Sequence, residues 1–165
     1  MEFTIIVAVA SNGVIGNNGK IPWTSITEDM KRFRNLTLEH ACVMGRVTYE
    51  SILNCLKRPL DKRMNIVVTE RGGLQQREGV VFCKGIFEAL EEAERYNPNE
   101  PAYIIGGTRI YAQTISLPQV TRMEITHIKR PYEGDVHFPY LFNSVWKETR
   151  RVEREDYDFV TYERR

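Results

Sequence analysis

Thr4-Ile5-Ile6-Val7-Ala8-Val9-Ala10 is an unbroken apolar run rich in β-branched residues, the pattern of a strand covered on both faces rather than on one. Similar short runs recur at residues 41–44, 65–69 and 102–105, and helical patterns lie between them. Residues 46–56 place Tyr49, Ile52, Leu53 and Leu56 on one side, and residues 86–96 set Ile86, Ala89, Leu90 and Ala93 against four glutamates. Strand and helix in alternation predict a mainly parallel sheet with helices on its faces. The last third changes rhythm. Residues 122–128 and 157–162 alternate, and residues 146–152 lead into the latter through a polar turn at 153–156, so these segments are expected to close one edge of the sheet as antiparallel strands. No repeat, linker or low-complexity stretch interrupts the chain, and residues 1–165 are expected to form one domain. Three glycines interleaved with three asparagines make residues 11–22 an expected mobile loop, a candidate lid.

The bulk numbers exclude several classes. Twenty-three basic and 22 acidic residues give a net charge of +1, which supplies no electrostatic footprint for nucleic acid or an anionic membrane. The longest apolar run is far shorter than the roughly 18 residues of a membrane span. Cys42, Cys55 and Cys83 are an odd number without a CxxC pair, and with no apolar leader before Thr4 they are expected to be reduced thiols of a soluble cytoplasmic protein. The three histidines, His40, His127 and His137, are scattered, so no metal site is expected.

Within residues 27–38 one side chain is misplaced. At about 100° per residue Met30, Phe33, Leu36 and Thr37 share a side, Glu28, Lys31, Arg32 and Asn35 the other, and Asp29 falls with the apolar set. A first-turn acid is favoured by the helix dipole by roughly 0.3–1 kcal/mol, but Glu28 already fills that role and Thr27 can serve as N-cap. A carboxylate turned into an apolar pocket loses hydration worth several kcal/mol unless it is paired. No Lys or Arg shares that face in the projection, so the expected partner is a ligand carrying N–H donors.

Two strand ends pass through glycine directly into a helix, at Met44-Gly45-Arg46-Val47-Thr48 and at Ile105-Gly106-Gly107-Thr108-Arg109-Ile110-Tyr111. Free N–H groups at a helix start attract anions, and glycine lets a phosphate approach the backbone. One such turn is common and usually structural; two in one sheet suit a dinucleotide, although the GxGxxG fingerprint is absent.

Taken in order, the motifs resemble dihydrofolate reductase almost end to end. They are Val14-Ile15-Gly16, Ile21-Pro22-Trp23, Asp29 with Phe33 and Thr37, Val43-Met44-Gly45-Arg46 with Thr48 and Glu50-Ser51-Ile52, Arg58-Pro59-Leu60 with Arg63 and Asn65-Ile66-Val67, Ile105-Gly106-Gly107 with Tyr111, and Thr126-His127-Ile128 followed by Gly134-Asp135 and His137-Phe138-Pro139. The resemblance implies an eight-stranded, mainly parallel sheet with an antiparallel C-terminal edge, and NADPH-dependent reduction of 7,8-dihydrofolate to tetrahydrofolate by a monomer. It also implies roles for individual residues. Asp29, Thr126, Trp23 and Tyr111 would form the catalytic set, with Asp29 holding the pterin edge and Thr126 sharing a water-linked network with it. Ile6, Val7, Met30, Phe33, Ile52, Arg58, Arg63 and Ile105 would contact substrate, Arg63 forking onto the α-carboxylate of its glutamate tail. Ala8, Ile15, Gly16, Gly45, Arg46, Val47, Thr48, Thr69, Arg71, Gly106, Gly107, Thr108, Arg109 and Ile110 would hold the cofactor, across a cis Gly106-Gly107 bond.

The chain also departs from the family pattern. Ile21 stands where Met or Leu is usual in the lid. Residues 53–57 lengthen the link before Arg58 and lack the helix-ending glycine common there. Glu70 precedes the basic residue expected near the adenosine 2′-phosphate. Two alternatives share the architecture: a pyrimidine reductase of riboflavin synthesis, with no need of the Trp23, Asp29 and Arg63 set, and a non-catalytic scaffold, which fold alone cannot exclude.

Overall fold

The computed structural model describes residues 1–139 and 143–165. In chain order its elements are β1 (Phe3–Ala10), β2 (Val14–Gly16), α1 (Thr27–Thr37), β3 (Ala41–Gly45), α2 (Arg46–Leu56), β4 (Met64–Val68), β5 (Val80–Cys83), α3 (Ile86–Tyr96), β6 (Ala102–Gly106), α4 (Thr108–Thr114), β7 (Val120–Ile128), β8 (Val136–His137), β9 (Trp146–Glu153) and β10 (Tyr157–Arg164). Eight strands form one sheet in the order β5-β4-β3-β6-β1-β7-β10-β9. From β5 to β7 every neighbouring pair is parallel, and β10 runs antiparallel to both β7 and β9. The expected mixed sheet with an antiparallel C-terminal edge is therefore present.

The opening apolar run is the middle of this sheet, flanked by β6 and β7. Strand alternation splits it: Ile5, Val7 and Val9 join the larger core cluster with Ile86, Ala89, Leu90 and Ala93 of α3 and Ile110 and Tyr111 of α4. On the other face α1 and α2 bring Phe33, Tyr49, Ile52 and Leu53 to a second cluster with Cys42, Met44, Leu60 and Val67. Helices thus cover both faces, and the carboxyl ends of adjacent strands β3 and β6 open into α2 and α4.

The structure adds elements that the sequence pattern left unassigned. Residues 11–22 are not simply loop, because β2 pairs with β8 and Asn17 bridges to Lys20. β5 is a further parallel strand. α2 ends at Leu56, where the helical pattern over 46–56 ends, and Lys57 takes the left-handed conformation as its cap (φ 62°), closing the helix through its N–H to the Leu53 carbonyl at 2.9 Å in place of the missing glycine. All three cysteines are free thiols. Burial pushes Cys42 up to about 12 and Cys83 up to about 11.

One buried amide pins the entry to β4. Asn65 accepts the Leu60 N–H at 3.1 Å and turns its own N–H groups to the carbonyls of Leu60 (2.9 Å), Arg63 (3.1 Å) and Gly79 (3.1 Å). Replacing it by a leucine of similar bulk orphans these groups, and each buried unsatisfied polar group costs about 1–3 kcal/mol. Asn65→Leu should therefore lower the unfolding free energy by about 2 kcal/mol or more. An unchanged urea midpoint would contradict this role for the amide.

Candidate active site

The burial pattern implies a groove over the middle of the sheet on the α1–α2 face. Ile6 and Ala8 of β1 and Ile105 of β6 are only half-buried although their strands are central, so no helix covers them. α2 stands over β3 and β4 on one side. On the other, α1 is tied across to β7 and β10 by polar side chains. Ile21 before α1, Met30 on α1, and Val47 and Leu56 on α2 are exposed large apolar residues, the composition expected beside an apolar ligand.

Asp29 leaves the first turn of α1 toward β7 and accepts a hydrogen bond from the Thr126 hydroxyl at 2.5 Å. Thr126 lies beside Ala8 of β1 and Phe159 of β10 in the sheet register and is buried. Burial pushes the Asp29 carboxyl above its ordinary range; the Thr126 hydrogen bond and the Arg32 cation pull the other way, and burial prevails. The acid is thus held directly by a neutral hydroxyl.

The helix projection needs three corrections. The N-cap is Ile26, with no side-chain cap bond, so Thr27 begins the helix and caps nothing. Glu28 is not simply solvated: it accepts bonds from Arg154 (2.9 Å) and from the Tyr157 hydroxyl (2.9 Å), which hold its carboxyl below the usual range. Arg32 is not on a solvent face either. It pairs with the buried Glu124 of β7 and lies 4.8 Å above the Phe159 ring. Three residues on from Asp29 is only about 60° round the helix, and a long guanidinium side chain reaches the sheet from there.

Other expected site residues divide by face. Phe33, Ile52 and Ile105 border the groove around the second cluster, with Met30 exposed above it. Val7 and Ile110 are corrections. Both side chains belong to the larger core on the opposite face, and Ile110 packs beneath Gly45, where an added Cβ would lie 3.3 Å from it. Only their backbones are available to a ligand. Tyr111 is buried in that core, and its hydroxyl donates to the Ile6 carbonyl at 2.8 Å. Burial raises its pKa, so it holds the floor of the groove and offers no proton. Trp23 meets Tyr132 edge-on at 5.6 Å. His127 faces away from Thr126 and meets the Tyr162 hydroxyl at 2.9 Å.

At the start of β4, Arg63 is buried yet mostly satisfied. Its Nε donates to the Asp61 carbonyl (2.9 Å), Nη2 to the Asp61 carboxylate (3.0 Å) and Nη1 to the Thr37 hydroxyl (3.1 Å). Of five N–H groups, one on each terminal nitrogen is left among the described residues. Asp61 also takes Arg34 at 3.1 Å and has Arg58 at 3.9 Å. Arg34 first, then Arg63 and Arg58, hold its carboxyl below the usual range. Nothing in the bare pattern Leu60-Asp61-Lys62-Arg63 separates this brace from a solvated turn.

The glycine junctions converge. A Cβ on Gly45 would lie 3.8 Å from the Gly107 nitrogen, and one on Gly107 would lie 3.4 Å from the Thr48 hydroxyl. The Gly106-Gly107 bond is cis. Gly106 has φ 123°, and a Cβ there would stand 3.1 Å from the Tyr111 hydroxyl. Neither helix start carries a side-chain cap bond, so anions can reach their N–H groups. Beyond them, Arg46 grips Glu50 through Nη1 at 2.9 Å to both oxygens. Arg71 has its Nη1 4.0 Å from the same carboxylate and its N–H on the Thr69 hydroxyl at 3.0 Å. Val47 and Thr108 lie in the first turns of α2 and α4, with Arg109 exposed beside Thr108, while Ile15 of β2 packs against the larger core.

Fold and groove together place the protein among α/β enzymes that bring a flat ligand and a phosphate-bearing cofactor to the carboxyl ends of a sheet. The family model described as dihydrofolate reductase matches residues 2–164. The chain is 36% identical over 168 residues to dihydrofolate reductase HdrB of Haloferax volcanii, covering 100% of this chain and 84% of that protein. It is 31% identical over 166 residues to dihydrofolate reductase type 8 of Escherichia coli, covering 98% and 94%. The structure of dihydrofolate reductase from Enterococcus faecalis complexed with NADP(H) and RAB-propyl superposes with a TM-score of 0.83 at 32% identity, covering 99% of this chain and 96% of that one. The chain belongs to the dihydrofolate reductase family.

The raised pKa of Asp29 has a consequence for the ligand-free fold. A carboxyl raised on folding favours the folded state fully below its unfolded value, 3.8, and that contribution is lost as pH rises through the folded value. At neutral pH the ionised acid therefore costs stability, and Asp29→Asn removes the cost. Ligand-free Asp29→Asn should melt higher than the parent at pH 7, with the gap narrowing toward the carboxylate range. A variant that melts lower at pH 7 would show that the acid is paired after all.

Proposed function

We propose that this chain reduces 7,8-dihydrofolate to 5,6,7,8-tetrahydrofolate, with NADPH as the hydride donor, as a monomer in the cytoplasm. One observation carries the reading: Asp29 is half-buried, raised in pKa by that burial and, among the described residues, hydrogen-bonded only by the Thr126 hydroxyl at 2.5 Å beside the apolar groove. A flat heterocycle with an N–H and an amino group side by side offers this carboxylate the charge-assisted, two-point contact it lacks. Family membership, a full-length match to dihydrofolate reductases and the absence of any helix long and apolar enough to cross a membrane among the described residues agree with it.

The residues present fit the cofactor. Gly45 and Gly107 leave a gap that a Cβ would fill, and two uncapped helix starts face it. Arg46, Thr48, Thr69, Arg71 and Arg109 would hold its phosphates, Glu50 giving up Arg46 to the phosphate. Ala8, Ile15, Gly16, Val47, Gly106, Thr108 and Ile110 would line its path, several through backbone alone. When bound, the cofactor supplies the hydride.

The remaining chemistry belongs to the chain. Thr126 fixes one oxygen of Asp29, so the carboxylate presents a set direction to the pterin edge. Ile6, Ala8 and Ile105 form a dry floor, and Met30, Phe33 and Ile52 enclose the rings against water. Burial of Asp29 keeps its proton affinity high enough to favour protonation at N5 of the substrate, water carrying the proton. Trp23 closes the loop side of the groove. Arg63, with Arg58 and Arg34 beside it, takes the tail carboxylates, and the brace from Asp61 and Thr37 leaves the two terminal N–H groups of Arg63 for a bidentate contact.

The direct test is loss of NADPH absorbance on adding dihydrofolate, beside an NADH control. No turnover of dihydrofolate by the parent chain would overturn the reading. Asp29→Asn should lower hydride transfer by orders of magnitude at pH 7, with a smaller deficit at acid pH, where the substrate already carries its N5 proton. Equal rates at pH 7 would remove Asp29 from the mechanism. Arg63→Leu should raise KM for dihydrofolate by about 10–100-fold, the equivalent of one lost charged hydrogen-bond pair, with kcat little changed. A fall in kcat at constant KM would contradict the tail assignment.

A further inference from the structure

Two polar rungs tie α1 to β7. The first is Asp29 to Thr126; the second is Arg32 to Glu124. Asp29 and Arg32 are three residues apart on the helix, about 4.5 Å along its axis. Thr126 and Glu124 are two residues apart on one face of the strand, about 7 Å. The rungs therefore stand side by side. Glu124 is 3% exposed, and besides Arg32 it accepts the Arg122 Nε at 2.7 Å and the Thr161 hydroxyl at 2.9 Å. Arg32 is clamped in turn over the Phe159 ring. A buried ion pair of this kind generally adds little net stability, yet this one occupies the ground beside the carboxylate that faces the groove.

We propose that Arg32 and Glu124 are positioning residues that set the aim and the ionisation of Asp29, Arg32 supplying the nearest cation and Glu124 determining how much of its charge Asp29 feels. The proposal rests on the reading of Asp29 as the pterin-holding acid. The charged and titratable groups that face Asp29 can be named element by element. From α1 come Glu28 and Arg32; from β10 comes Tyr157, bonded to Glu28, with Arg154 of the preceding turn; Glu124 of β7, with Arg122 behind it, acts on Asp29 through its pairing with Arg32. β1 contributes only Ile6 and Ala8. Glu28 and Arg32 act on Asp29 with opposite signs, and since Glu28 is itself held by Arg154 and Tyr157, Arg32 is the cation that favours the ionised form of Asp29.

The signs follow. Glu124→Gln leaves the Arg32 and Arg122 cations without their shared carboxylate, and Asp29 should lose its proton at lower pH. Arg32→Gln removes the nearest cation, and Asp29 should keep its proton to higher pH. Carboxylate NMR of Asp29 in the ligand-free protein and the pH profile of single-turnover hydride transfer should both move by about half a pH unit, in opposite directions for the two variants. Arg32→Lys, which keeps the charge, should hold the parent's midpoint, and the double variant that removes both charges should fall between the two single variants. Midpoints that stay fixed while rates fall at every pH, or that move in the same direction in both variants, would reduce the pair to a structural brace and overturn the proposal. Should Glu124→Gln not fold, the contrast between Arg32→Gln and Arg32→Lys decides by the same midpoint. If the parent does not turn over dihydrofolate, the functional reading fails on that assay, and the ligand-free Asp29 titration still tests the coupling separately.

Discussion

The single hydrogen bond from the Thr126 hydroxyl to the Asp29 carboxylate, 2.5 Å long, is the constraint on which the site depends. Shielding an ionised carboxyl from water costs several kcal/mol, whereas a hydrogen bond to a charged group returns about 1.5–3 kcal/mol. The protein leaves that difference open. It does so between the first turn of α1 and the middle of β7, where the Thr126 hydroxyl holds the acid half-buried. A ligand that satisfies the carboxylate releases the deficit, which is how a ligand-free cost becomes selectivity for a heterocycle with paired N–H donors.

Much of this was legible in the chain itself. The misplaced Asp29 could be read because helical periodicity is strong over residues 27–38, and the glycine junctions because they interrupt apolar runs abruptly. What was not legible depended on contacts distant in sequence or on side-chain reach. Arg32 projects to the polar side by angle, yet its length carries it to Glu124, 92 residues away. Glu124 and Thr126 alternate on one strand face, a signal that was present, but a lone glutamate in an edge-like alternating strand reads as solvated until β10 is known to lie outside it. β2 and β8 are three and two residues long, too short for periodicity, and exist only because they meet. β5 follows a polar stretch that masks its four residues. Val7 and Ile110 were placed in the site by motif; strand and helix phase turn their side chains to the other face.

The sheet order explains why the pieces converge. β6 returns between β3 and β1 after the chain has wound outward to β5, so the two glycine-opened helix starts sit on neighbouring strands, and α2 and α4 go to opposite faces. The groove is what remains between α2 and α1 over β6 and β1. Tyr111 joins the two faces: it packs in the far core, limits the space at Gly106 and bonds the Ile6 carbonyl under the groove. A change in that core would be felt at the floor on which the ligand rests.

The two ends of the groove solve opposite electrostatic problems. At the head, Asp29 is under-paired, so its interaction with a ligand is large and sensitive to the protonation of both partners. At the tail, Arg63 is already braced on three of its donors by Asp61 and Thr37, and one of those partners is itself an anion beside the place proposed for the substrate's carboxylates. Asp61 lowers the net gain from a tail carboxylate but prevents the guanidinium from having to be oriented at the moment of binding. Under the proposed function, binding energy at the tail would be modest and uniform between ground and transition states, while that at the head would change as the ring gains its proton. On that reading the chain would separate holding from chemistry along one groove, with the head rung and the Arg32–Glu124 pair beside it carrying charge that can bias the step itself.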